Sequence, residues 1–302
     1  MTNRLYYENA YLTEFDAIVV DTKPGCIALD QSAFYPTSGG QPFDTGTICW
    51  EGGEVNVTDV TVENDIVWHH MDAEIPTGTM VHGKIDWLRR FDHMQQHAGD
   101  HMIAGAIWEL MRGVTIGLHT GSDVSSIDIA MEDGKTHLTE GEIRTLEHLV
   151  NSRIQENHTI RCWFPDADEL NALPLRKKPT VSEHVRIVSM GNFEMVACGG
   201  THPDTTGQIG LVKILSALPA RGKMRLTFVA GMRAVNVFQS AYHAVRTMGS
   251  MLSADMETVS SALQKLMDAQ IIQQKETNQK LVQAATETIL RSCQVLTGTN
   301  VY

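Results

Sequence analysis

Cys198 and His202 stand four residues apart in "ACGGTHPDTTGQIG", with two glycines between them. A thiol and an imidazole at that spacing form half of a site for a divalent cation. The stretch "HMQQHAGDH" offers the other half, because His93, His97 and His101 recur every four residues. Helical residues four apart share one face, one turn apart, so two such imidazoles reach a single cation. One histidine pair with Cys198 and His202 makes a Cys-His₃ set, which suits zinc in tetrahedral geometry. Two overlapping pairs fit, His93 with His97 and His97 with His101, and spacing alone leaves both open. A surface stripe of histidines is the plainer reading of either pair; a second half-site of matching chemistry is what argues for a metal.

These residues need elements to hold them. Residues 1–85 contain short, β-branched runs ("DAIVVDT", "CIALD", "GTICW", "EVNVTDVTV", "DIVWHHM") divided by turn residues, which predicts a small barrel or sandwich. The loop "YPTSGGQPFDTG" interrupts them. Residues 86–233 read as α+β, with a helix from His93 to about Arg112 and a second over "LTEGEIRTLEHLVNSRIQENH". Thr139 and Glu142 form a capping-box signature at the start of the second helix. Strands are predicted at "GVTIGLH", "SSIDIAM", "TIRCWFP", "HVRIVSM", "FEMVAC", "GLVKILSA" and "MRLTFVAG", with a short helix at "DADELNAL". Residues 234–302 read as a long helix or helical hairpin, with a stripe at Val259, Leu263 and Leu266.

The chain has 302 residues, 42% hydrophobic, with a net charge of −12. That balance disfavours non-specific nucleic-acid binding, which a basic protein would perform. Arg89 with Arg90, Arg176 to Lys178 and Arg221 to Arg225 are local basic clusters, read as solvated surface. Five scattered cysteines do not form a disulfide framework. No apolar run of membrane-spanning length and no secretory signal pattern occurs, so a cytoplasmic protein without membrane contact is expected.

"AFYPTSGGQPFDTG", "HMQQHAGDHMIAGA" and "CGGTHPDTTGQIG", in that order, resemble the editing module of alanyl-tRNA synthetase and its free-standing AlaX relatives. The resemblance spans roughly residues 5 to 235. It implies an α+β architecture: a small N-terminal β-barrel carrying the glycine-rich motif, a zinc-containing editing domain and a C-terminal helix. Longer family members carry a further domain after that helix, so the helix is expected to serve either an oligomer contact or a further domain. By the same resemblance, an aminoacylation domain ahead of Tyr11 is not expected. The family's HxxxH motif is followed by apolar residues, as in "HAGDHMI". The resemblance therefore assigns His97 and His101, with Cys198 and His202, to one Zn²⁺ per chain, and leaves His93 at the helix start as a neighbour or tRNA contact.

The implied reaction is ATP-independent hydrolysis of the ester in mischarged tRNA for alanine, removing serine and in some members glycine. An aminoacyl ester is already activated, so the catalyst must chiefly place water and stabilise the oxyanion. Four protein ligands make a closed site, and the expectation is that zinc positions the substrate, taking its amino group as a fifth ligand. A site that hydrogen-bonds the seryl hydroxyl rejects alanine by leaving a polar group unpaired. By resemblance "GLHTGSD" lines that pocket, which points to His119 and Thr120 as catalytic. Ser38, Gly39, Gly40 and Gln41 of the glycine-rich motif are assigned to the substrate or the tRNA terminus. Two other classes stand beside this reading: a tRNA-binding module with a structural zinc, and a metallohydrolase of small esters. The long C-terminal helix suggests a homodimer contact.

Overall fold

Burial alternates along Glu14–Phe15–Asp16–Ala17–Ile18–Val19, the mark of a strand with one face in a core. The computed structural model describes residues 1–177, 179 and 184–297. Its N-terminal strands are β1 (Asn3–Arg4), β2 (Glu14–Lys23), β3 (Cys26–Leu29), β4 (Gln31–Ser32), β5 (Gly46–Trp50), β6 (Gly53–Val57), β7 (Asp59–Glu63), β8 (Ile66–His70) and β9 (Met80–Ile85), with one helical turn, α1 (Leu5–Glu8). Seven of them make an antiparallel sheet in the order β6-β5-β9-β2-β3-β8-β7. The first half of β2 pairs with β9 and the second half with β3, with a register shift between Val19 and Asp21. The sheet therefore folds about β2 around one core, including Phe15, Val19, Leu29, Ile48, Val60 and Val81.

The expected barrel is corrected: the sheet is open, because β6 bonds only to β5 and β7 only to β8. The run "EVNVTDVTV", expected as one strand, divides at Thr58 into β6 and β7. A hairpin needs about two loop residues to fold back, and a single residue cannot set these two strands side by side. Thr58 N–H instead donates to His70 O at 2.9 Å, and β6 keeps most of its residues exposed, as an edge strand does.

The helix α2 (Trp87–Met111) follows β9 directly. It starts at Trp87, six residues before the expected start at His93, because Asp86 caps it by accepting from Arg89 N–H at 3.2 Å. His93 consequently lies in its second turn. Beyond it come β10 (Val114–Thr120), β11 (Ser125–Ala130), α3 (Glu140–Gln155), β12 (Ile160–Trp163), α4 (Ala167–Ala172), β13 (Ile187–Met190), β14 (Glu194–Ala197), a 3₁₀ turn at Thr206–Ile209, β15 (Val212–Ala220) and β16 (Lys223–Ala230). They form a four-stranded sheet, β10-β11-β16-β15, and a three-stranded one, β12-β13-β14. Helices α2 and α3 pack on the former through Ala98, Met102, Ile107, Leu146, Ile127 and Phe228.

The capping box at Thr139 is formed: Glu142 N–H donates to Thr139 Oγ1 at 3.3 Å, and Thr139 N–H to Glu142 Oε2 at 2.9 Å. Thr139→Ala is expected to destabilise the protein by about 1 kcal/mol, readable as a fall of roughly 2–4 °C in Tm with no change in metal content.

Two compact units are present, Met1–Asn236 and Val237–Tyr302. The C-terminal helices are α5 (Gly231–Leu252) and α6 (Val259–Thr297). Of the two forms expected here, a long helix or a helical hairpin, the segment forms two helices, because Ser253 adopts a left-handed backbone and Asp255 caps the restart, accepting from Thr258 N–H at 2.8 Å. Of the predicted stripe, Val259 is buried while Leu263 and Leu266 are exposed. The tail "GTNVY" lies outside the described residues, as do Lys178 of the second basic cluster and the side chain of Cys293. Arg90 of the first cluster is not at the surface but fully buried. Among the described residues no helix is long and apolar enough to cross a membrane.

Candidate functional site

Helix α2 turns a buried face toward the loop after β14, and that meeting point brings two distant pieces of sequence together. The donor atoms of His97, His101, Cys198 and His202 all lie within 4.8 Å of one another. Cys198 Sγ is 3.2 Å from His97 Nε2, 3.4 Å from His101 Nε2 and 3.7 Å from His202 Nε2. A tetrahedral ion bonded at about 2.3 Å to sulfur and about 2.0 Å to nitrogen would hold such donors about 3.5 Å apart. The geometry fits a metal ion, with all three imidazoles presenting Nε2. Of the two histidine pairs that spacing left open, His97 with His101 faces Cys198, their rings stacked with centroids 5.1 Å apart.

Burial sets the protonation of these groups before any metal arrives. It lowers His97 to about 4, and takes His101 and His202 well below the ordinary imidazole range. It pushes the Cys198 thiol up to about 12, only partly offset by the Gly200 N–H and the Arg186 guanidinium. Three neutral imidazoles and one thiol are therefore waiting at neutral pH.

Gln41 was expected to touch substrate or tRNA. It is instead fully buried beside the cluster. Its Oε1 lies 2.9 Å from His97 Nδ1 and accepts from Thr201 N–H at 3.1 Å, while its Nε2 donates to Thr201 Oγ1 at 2.8 Å. The glycine-rich loop thus fixes both the His97 ring and the CxxxH loop. A carbonyl acceptor at Nδ1 selects the tautomer that leaves Nε2 free to bind a metal. Gln41→Ala is expected to weaken metal binding by about 10–100-fold, measured by competition with a chromogenic chelator; an unchanged affinity would remove Gln41 from this role.

Two glycines are needed for close approach. A Cβ on Gly200 would lie 2.1 Å from His97 Cε1, and one on Gly40 would lie 2.5 Å from Leu118 O, at a φ of +84°. Gly40 O also accepts from Thr120 N–H at 3.1 Å, so the loop is stitched to β10. Arg186, which the sequence did not single out, holds the CxxxH loop by donating to Cys198 O and Gly200 O at 3.1 and 2.8 Å. Its only signal was a cation in an otherwise apolar strand run.

A cleft of about 440 Å³ opens beside the cluster, with Gly39, His97, Asp100, His101, Leu118 and Cys198 among its walls. Ser38 lies at the loop's tight turn, where its carbonyl accepts from Gln41 N–H and from the Tyr35 hydroxyl. His93, His119 and Thr120 do not line the cleft. His93 is buried, lowered to about 3 by desolvation and by Arg89, Arg233 and Arg90. Thr120 is buried with an unpartnered Oγ1, and His119 is exposed on the opposite face of β10. The cleft also contains an acid that sequence reasoning passed over: Asp100, between the two histidines, whose carboxyl burial raises to about 7.

Residues 6–89 match the family model described as tRNA synthetases class II (A), and residues 185–226 match that of the threonyl and alanyl tRNA synthetase second additional domain. A protein named alanine–tRNA ligase from Pyrococcus furiosus is 34% identical over 280 residues, 88% of this chain and 30% of that protein. The like-named protein of Korarchaeum cryptofilum is 30% identical over 312 residues, 99% of this chain and 34% of its own length. The chain thus spans about a third of the length of the curated relatives it matches.

Proposed function

We propose, because this chain is related to the alanyl-tRNA synthetases and resembles their AlaX editing relatives, that it is an aminoacyl-tRNA deacylase that hydrolyses the ester of mischarged tRNA for alanine, serine foremost. The observation that carries the reading is the four-donor cluster placed against a cleft with Gly39 on its rim. The ion we assign to it is Zn²⁺, since one thiolate and three imidazoles are its preferred tetrahedral donors. When bound, it supplies positive charge beside the ester and fixes the walls of the cleft.

The chain's own groups supply the rest. Gly39 lies at a positive φ on the cleft wall, where a backbone without Cβ admits close approach by the ribose end of the substrate. The Cys198–His202 loop and the His97–Asp100 turn of α2 bound the space for the aminoacyl group. For serine selection we favour Thr120 over His119: neither lines the cleft, and Thr120 lies two residues along β10 from Leu118, which does, on the same face. Its unpartnered buried hydroxyl lies on the Leu118 face of β10, whereas His119 points to solvent. An unpaired hydroxyl of this kind favours a substrate that carries a matching hydroxyl.

The test is deacylation of seryl-tRNA and alanyl-tRNA side by side, with metal content measured. Loss of serine and retention of alanine is expected. Four protein donors also describe a closed structural site, which favours a second reading, a tRNA-binding module. Salt-dependent tRNA binding with the metal present and no turnover would select that reading.

A further inference from the structure

Asp100 is the one carboxylate among the described residues that line the cleft. It sits on α2 between His97 and His101, so its carboxyl flanks the four-donor cluster. Its Oδ1 is buried and has no hydrogen-bond partner. The guanidinium of Arg176 in the cleft wall acts on Asp100 through its charge but makes no hydrogen bond to it: Arg176 Nε donates to both Glu194 oxygens, at 3.0 and 2.9 Å, and its NH1 reaches Thr115 Oγ1 at 3.4 Å. The imidazoles and the thiol beside it converge on one another. A buried acceptor left open in a cleft calls for a ligand that donates to it.

The ester-hydrolase reading narrows the donor. Serine, glycine and alanine share one donor-rich group, the α-amino group, separated from the ester carbon by a single carbon. An acceptor for it must therefore lie next to the groups that hold the ester, and Asp100 adjoins His101 in the chain. We infer that Asp100 receives the α-amino group of the aminoacyl ester, so that the site takes esters with a free amine and rejects N-acylated ones such as peptidyl- or formylated aminoacyl-tRNA. Asp100, rather than a fifth metal position, then orients the amine. This inference rests on the hydrolase reading for its substrate class and on the open Oδ1 for its location.

The test uses the metal-loaded chain and two stable probes: the 3′-seryl amide of 3′-amino-3′-deoxyadenosine and its N-acetyl counterpart, titrated by calorimetry. Wild type is expected to prefer the free amine by at least about tenfold. Asp100→Ala should erase that preference by weakening only the free-amine probe, and Asp100→Asn, which keeps an acceptor oxygen, should retain part of it. Metal content should stay at the wild-type level in both variants. Equal binding of both probes by wild type, binding of neither, equal weakening of both in the variants, or loss of metal from both variants would each overturn the assignment. The two readings fail separately. A chain that prefers the free-amine probe but does not deacylate seryl-tRNA sinks the hydrolase and keeps Asp100's role. One that deacylates seryl- and N-acetylseryl-tRNA equally does the reverse.

Discussion

Cys198→Ala is expected to reduce bound zinc from about one per chain to below about a tenth after dialysis, and seryl-tRNA deacylation by at least about 10³-fold. Cys198 Sγ is the atom toward which all three imidazole Nε2 atoms converge, at 3.2 to 3.7 Å. Its removal leaves three neutral imidazoles and no thiolate donor in a buried place. Cys162, whose Sγ lies 4.0 Å from His202 Nδ1 on that ring's other side, is the control: Cys162→Ala should keep its zinc. The same titration carries a second readout. Because burial holds the Cys198 thiol up at about 12 and the imidazoles well below their usual range, zinc binding at neutral pH should displace about one proton, from the thiol alone. Affinity should accordingly rise about tenfold per pH unit from pH 6 to 8. Release of two or more protons, measured in buffers of different ionisation enthalpy, would show that the imidazoles are protonated in the free site.

Asp44→Ala is expected to be the most destabilising single change, by about 3–5 kcal/mol, with Tm falling by roughly 10 °C. Asp44 and Arg90 are both fully buried. Arg90 Nε donates to both Asp44 oxygens at 3.0 and 2.9 Å, and the guanidinium also donates to Ala10 O and Ala33 O at 2.7 and 2.5 Å. Asp44 Oδ2 accepts from Tyr35 N–H at 2.6 Å. One ion pair thus ties the glycine-rich loop, the N-terminal turn and α2, two turns before the metal-facing histidines. Removing the carboxylate leaves a buried guanidinium without its counter-charge, which costs more than the pair contributes. Asp44→Leu with Arg90→Met should recover at least half of the loss. A double variant as unstable as Asp44→Ala would mean that the network of carbonyl contacts, rather than the stranded charge, carries the effect.

Much of the site was legible in residue types. Two pairs of soft and borderline donors, each at a spacing that one turn or one loop can close, named His97, His101, Cys198 and His202 among five candidates. Spacing could not exclude His93, since a helix places i−4 and i+4 on the same face equally; the direction from which the CxxxH loop arrives chose His101. Strand runs were legible through β-branched alternation, and the capping box through two side chains that bond only to their own first turn. The openness of the N-terminal sheet was not, because closure depends on whether β6 and β7 meet, and that is decided by the single residue Thr58 between them. Arg90 read as solvated surface and Gln41 as a substrate or tRNA contact because sequence records a side chain's chemistry and not its depth. Only the tertiary fold supplies, from Thr201, His97 and Asp44, the partners that make their burial tolerable. Residue types and their spacing determined which donors exist; packing decided which of them face one another, since burial and direction are properties of several segments at once.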